Sequence, residues 1–218
     1  MAELRTEEEQ IQAIKDWWKK NGSSLLIGIG AALAIIFGWQ AWQNHQSQQR
    51  AAAASQFATL LNAYGDTSDE NRTDTVAYVA DELRAEFAGS AYATYGMLIL
   101  AQQQLLEQND VAAAIESLQW ARSHVDKKSA LNLIVLHRLA TAQLAGGRLD
   151  EALATLGEAE VSEAFRALFE ELKGDILLAK GEPDQARDAY LVARQHSLAG
   201  GNGLLEIKLA DLGVGEDA

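Results

Sequence analysis

The sequence predicts an all-α chain, with a single N-terminal transmembrane helix followed by a solenoid of helical repeats. Three observations carry the prediction. The composition favours helix, with 39 Ala and 30 Leu against 8 Val and a single Pro in 218 residues; sandwiches and barrels draw instead on β-branched and aromatic residues. No Asp, Glu, Lys or Arg occurs between Lys20 and Arg50. Three stretches of the second half superpose on one another without gaps.

Residues 1–22 read as a leader holding five acids and four bases. Its Ile11, Ile14, Trp17 and Trp18 share one side of a helix, which suits a position along a membrane surface. Residues 23–42 read as the transmembrane helix, SSLLIGIGAALAIIFGWQAW. Twenty helical residues at ~1.5 Å each reach about 30 Å, the thickness of a bilayer's hydrocarbon core. Trp17, Trp18, Lys19 and Lys20 stand before this run and Trp39 and Trp42 at its exit, where amphipathic rings and basic groups suit the headgroup level. A cleaved signal sequence has a shorter apolar core with small residues close behind it. Here Gln43–Gln49 is polar and the first small cluster, Ala51–Ala54, lies well beyond, so a retained anchor is expected.

Orientation follows from the flanking bases. Arg5, Lys15, Lys19 and Lys20 precede the span, while Arg50 is the sole base in the twenty residues after Trp42. The positive-inside rule then keeps the N-terminus cytoplasmic and sends the C-terminal part across. Gly30, Ala34 and Gly38 recur every fourth residue, a stripe of small side chains that would let a second membrane helix approach closely.

Residues 43–89 read as a divergent helix pair. One helix runs from about Ser47 to Tyr64, continuous with the span because nothing between Trp42 and Ser55 breaks it. A loop rich in turn formers covers Gly65–Arg72, and a second helix runs from about Thr73 to Ala88. Ser90 is a candidate N-cap for the next helix.

Residues 90–200 carry the clear repeats. DVAAAIESLQWA (110–121), LDEALATLGEA (149–159) and PDQARDAYLVA (183–193) each place Ala, a larger side chain four residues on, then Ala three further. The triplets are Ala114/Leu118/Ala121, Ala152/Leu156/Ala159 and Ala186/Tyr190/Ala193. Helical periodicity follows the same register: Leu149, Ala152, Leu153, Leu156 and Ala159 share a face, as do Phe165, Leu168, Phe169, Leu172 and Ile176. Each stretch follows a helix and a break at Gln108–Asp110, Gly146–Gly147 or Gly181–Pro183. Gly suits the end of a helix and Pro the first turn of the next. Spacings of 38 and 34 residues, with Gly174 in the helix before the third stretch, give the tetratricopeptide pattern of stacked helix–turn–helix units. Small residues lie where the two helices of a unit cross. Gly200, Gly201 and Gly203 read as a linker. Residues 201–218 supply a Leu-rich terminal helix and tail, which caps an array whose units bury their apolar faces only against neighbours.

The remaining signals exclude several functions. No Cys means no disulfide scaffold, thiolate zinc site, cysteine nucleophile or acylated-cysteine anchor. His45, His124, His137 and His196 show no metal-ligand spacing, and no nucleophile–base set is legible. The sequence therefore points to neither enzyme nor cofactor. A net charge of −13 argues against nucleic acid. Of 31 acids and 18 bases, 26 and 14 follow the leader, so the acidity belongs to the repeat domain. That domain should be held off anionic headgroups and suits contact with proteins. Trp120 is the aromatic candidate for a binding groove, core packing being the competing role.

With its parts in this order the chain resembles the YfgM-type ancillary subunits of the SecYEG translocon in Gram-negative bacteria. The likeness covers nearly the whole chain and rests on EEEQIQAIKDWWKKNG, GWQAWQNHQ, the Ala-rich repeats and LLEIKLADL. It implies a single-pass inner-membrane protein with a periplasmic repeat domain and no catalytic residues. It also implies association with the translocon and with the membrane-anchored chaperone PpiD, and help in passing translocated client chains to periplasmic chaperones. Two readings from other classes compete. One is a membrane-tethered periplasmic scaffold for envelope assembly or cell division, the other a signalling regulator acting through the cytoplasmic leader.

Overall fold

A computed structural model describes residues 7–197 and 203–214. Arg5, Gly200, Gly201 and the last four residues, used in the readings above, lie outside the described residues. The chain divides into two compact units, Met1–Ala52 and Ala53–Ala218. Its described residues form helices and no strands.

The first unit is built on α1, Glu7–Gly65, whose last turns belong to the second unit. From Glu7 the leader continues into the apolar run as one unbroken helix. Helix α1 runs through Asn21, whose side-chain amide donates to the Trp17 carbonyl one turn back at 3.0 Å. At Gly22 the Trp18 ring covers the bare backbone, 3.2 Å from where a Cβ would lie. Helix α1 is long and apolar enough to cross a bilayer, and residues 23–42 lie in its charge-free stretch. Their side chains are exposed, Ile27 and Ile35 each at 72%, unlike those of a soluble protein's core helix.

The second unit is a row of helix hairpins. The end of α1 shares a core cluster with α2 (Arg72–Glu86), and α3 (Ala91–Leu106) pairs with α4 (Val111–His124), α5 (Ala130–Ala145) with α6 (Leu149–Gly157), and α7 (Glu163–Ala179) with α8 (Pro183–His196). Helix α9 (Gly203–Asp211) closes the described array. Helices α2 to α9 each pack on their neighbours in sequence, and α3 also touches α5 and α5 touches α7. This is the nearest-neighbour pattern of a repeat array.

Local chemistry sets the hairpins. Ser90 Oγ accepts from Ala93 N at 3.2 Å, Asp110 Oδ1 from Ala113 N at 2.9 Å and Ser129 Oγ from Asn132 N at 3.2 Å. Each cap satisfies an N–H that helix geometry leaves open. The turns inside the three clear units share one left-handed residue just before the cap of the second helix: Asn109 at φ 54°, Gly147 at 69° and Gly181 at 81°. Asn replaces Gly in the first because it tolerates this conformation better than other side chains. The core is a chain of apolar clusters between hairpins: Leu60, Leu83 and Met97 anchor one, Leu118 and Leu139 the next, then Leu136, Leu156 and Phe169, then Tyr190 and Leu205.

Three expectations are corrected. Ala159 lies beyond α6: past Gly157, a poor helix former, the chain tightens to bonds from Glu158 N to Thr155 O and from Ala159 N to Leu156 O. It still packs, half-buried, on the cluster of its unit. Leu168 is 44% exposed, because α7 buries Phe169, Leu172 and Ile176 and a neighbour in sequence points about 100° away. Gly203 opens α9 rather than belonging to a linker. Leu205 and Leu209 bury α9 against Leu177 and Tyr190, leaving Leu204 and Ile207 exposed.

Candidate functional site

The first helices of the first three hairpins carry almost no charge, unlike α7. The last turns of α1 and all of α3 have none, and α5 has Arg138 alone beside His137. One face of each forms the hydrophobic core. The opposite faces meet in a half-open groove of about 400 Å³. Phe57 comes from α1, Tyr95, Leu98 and Leu106 from α3, and Ile134 and Arg138 from α5. Helical spacing explains the set, since residues three and four apart share a face. Tyr95 is 41% exposed and Leu106 72%. The Phe57 and Tyr95 ring centroids lie 6.0 Å apart, in a tilted arrangement favoured by aromatic quadrupoles. At the rim, Gln102 Nε2 donates to Tyr64 Oη at 3.1 Å. Such a surface offers apolar and aromatic contacts on rigid helices, with one cation.

Beside the groove, His137 is half-buried and its ring sits 5.7 Å from that of Phe169. Burial, reinforced by the Arg138 charge, lowers its pKa to about 4, against the opposing pull of the Leu168 backbone, Glu171 and Asp175. At the far end Lys208 Nζ on α9 binds Glu171 Oε1 at 2.8 Å and Asp175 at 2.7 Å, while Tyr190 Oη donates to Asp175 Oδ1 at 2.7 Å. Burial and the hydrogen bond to Asp175 raise the Tyr190 pKa, so the phenol stays protonated. This network fastens the terminal helix. Among the described residues no cluster of His, Asp and Glu has the arrangement of a metal site.

The repeat-signature residues are packing elements. Ala114, Ala121, Ala152, Ala186, Ala193 and Tyr190 are wholly buried and Leu118 and Leu156 nearly so. A Cβ at Gly174 would overlap the Tyr190 ring. Trp120 lies on α4 outside the groove lining, half-buried against the first cluster and stacked on His124 at 4.0 Å. The groove aromatics are Phe57 and Tyr95. In sequence they look like core residues; the one legible signal was Arg138, a lone charge on an otherwise uncharged helix face.

In the first unit, Gly30 and Gly38 have open space where a Cβ would be, and Ala34 is exposed. Trp17, Trp18, Trp39 and Trp42 are all exposed, with Trp39 and Trp42 centroids 5.1 Å apart. Lys19 and Lys20 are exposed beside the first pair.

An apolar helix able to span a bilayer and a hairpin array with an open apolar groove define a membrane-anchored, repeat-built scaffold. The family model of the tetratricopeptide repeat-like domain matches residues 15–214. The chain is 33% identical to the ancillary SecYEG translocon subunit of Haemophilus influenzae, over 89% of this chain and 92% of that protein. Proteins of the same name from Aggregatibacter actinomycetemcomitans and Escherichia coli K12 are 29% and 27% identical. The first match covers 97% of this chain and all of the relative, the second 84% and 85%. No solved structure matches significantly. The chain belongs to the YfgM family of ancillary SecYEG translocon subunits, with a tetratricopeptide repeat-like domain. Membership of this family makes it a non-enzymatic scaffold.

Proposed function

We propose that this protein is an inner-membrane adaptor of the SecYEG translocon. Its N-terminus is cytoplasmic and its repeat domain periplasmic. The span, residues 23–42, docks beside translocon or chaperone helices through Gly30, Ala34 and Gly38. The domain associates with PpiD and helps pass newly translocated chains to periplasmic chaperones, engaging them in the α1/α3/α5 groove. The observation that carries the reading is an open apolar groove in a chain whose relatives are named ancillary translocon subunits. The flanking bases support the orientation, and the open faces of Gly30 and Gly38 support close helix approach.

Photocrosslinkers placed one at a time along residues 23–42 in living cells test the partner. Translocon subunits should be captured from positions on the Gly30/Gly38 face; capture of division or assembly proteins alone would refute the reading. Protease added to spheroplasts tests the topology. It should digest the chain beyond Arg50 and spare the leader, and a protected repeat domain would reverse the orientation.

A further inference from the structure

We propose that Arg138 receives a carboxylate from the segment filling the α1/α3/α5 groove, so that the groove selects an apolar stretch of unfolded chain carrying an internal Asp or Glu side chain. The proposal rests on the groove reading above and specifies the chemistry of its occupant. Acids outnumber bases by 26 to 14 after the leader, and every other arginine of the described repeat domain is ion-paired, from Arg72 with Glu107 to Arg194 with Glu206. Arg138 alone has no carboxylate partner, although it stands in the middle of a well-formed helix. Its helix offers none, since α5 contains no acid. On the facing helix, Glu171 and Asp175 bind Lys208. The groove walls beside it, from Leu98 to Ile134, are apolar. An incoming carboxylate there meets a planar donor fork with little competing charge, the setting in which Arg pairs strongly. The rest of the occupant is mostly apolar because, Gln102 and Thr141 aside, the rest of the lining is apolar or aromatic. The carboxylate is internal because a chain handed on during translocation presents side chains before its C-terminus.

Full-length protein in lipid nanodiscs can be titrated with short fluorescent peptides of Leu, Val and Ser, acetylated and amidated, with Glu, Gln or Lys at the centre. Fluorescence anisotropy should show the Glu peptide binding about tenfold tighter than the Gln peptide, the order expected for one well-placed ion pair. Added salt should narrow that ratio. Arg138→Gln should erase the preference and Arg138→Glu should turn it towards the Lys peptide. Both variants should keep the wild-type circular dichroism, because Arg138 is exposed. Equal binding of Glu and Gln peptides by the wild type would overturn the proposal, as would a preference unchanged in both variants. A Gln peptide with a free C-terminus matching the Glu peptide would overturn it in favour of terminal capture. Failure of every peptide to bind would overturn both the proposal and the client-binding groove, whatever the crosslinks show for the span.

Discussion

At Gly174 the missing side chain is what admits a tyrosine. A Cβ would overlap the Tyr190 ring, whose hydroxyl is bound to Asp175. The two preceding units solve the same crossing with Ala on the first helix and Leu on the second: Ala101 with Leu118, and Ala140 with Leu156, each pair within one core cluster. Gly174→Ala should therefore cost about 1–3 kcal/mol by urea denaturation, the usual range for overpacking a filled core. Adding Tyr190→Leu should recover part of that loss by copying the other units. An unchanged midpoint in the single variant would show that the crossing yields. His137 gives a second prediction. Its folded pKa, about 4, lies below the ordinary 6.5, so the unfolded chain takes up a proton first as the pH falls. The stability is fully present above about 6.5 and is lost on the way down to about 4. Partial exposure reduces a full shift to roughly 1–3 kcal/mol. Denaturation near pH 7.5 and near pH 4.5 should show His137→Phe losing less stability than the wild type by that amount. Equal losses would show that the ring titrates normally.

Between helices, the hairpins share a bond that sequence comparison does not reveal. Gln104 Oε1 accepts from Ser117 Oγ at 2.8 Å, and Gln143 Oε1 from Thr155 Oγ1 at 2.8 Å, at corresponding places in the first two clear units. The third unit fills the same places with Leu177 and Ala189 in one apolar cluster. Thr155 and Gln143 are both buried, so Thr155→Ala strands an acceptor and should cost about 1–3 kcal/mol. Gln143→Leu combined with Thr155→Ala copies the third unit and should cost less than the two single changes together. Strict additivity would show that the two side chains are not coupled. What was legible in the sequence follows the same division. Ala114, Leu118 and Ala121 could be read because their spacing is periodic and recurs. The turn at Asn109 could be placed only as a break, since a left-handed Asn has no fixed sequence signature. The end of α6 was misplaced because Ala159 preserves the helical spacing after the backbone has left the helix. The groove was illegible for a different reason: α3 is apolar on both faces, so nothing in its sequence separates buried Met97 from exposed Tyr95. Only packing against α1, α2, α4 and α5 decides which side is core.

Across the whole molecule, charge is divided along the chain. The leader's five acids and four bases nearly cancel, residues 23–42 carry none, and the remainder has 26 acids against 14 bases. A charge-free run of this length leaves its apolar side chains exposed along the helix. Water is a poor environment for such a surface, and a bilayer accommodates it without strain because every backbone group is already bonded within the helix. Leu33 and Ile36 lie near its centre and are both exposed. An Arg at the middle of a spanning helix costs about 3 kcal/mol on insertion scales. Leu33→Arg with Ile36→Arg therefore opposes insertion by roughly 6 kcal/mol, about four orders of magnitude in partition. The wild type should remain in the membrane pellet after alkaline carbonate extraction, while the double variant should move largely to the supernatant. Changing the same residues to Ala and Val should leave the chain in the pellet, because neither introduces a charge. If the arginine variant also stays, the attachment lies elsewhere in the chain and residues 23–42 do not hold it in the bilayer.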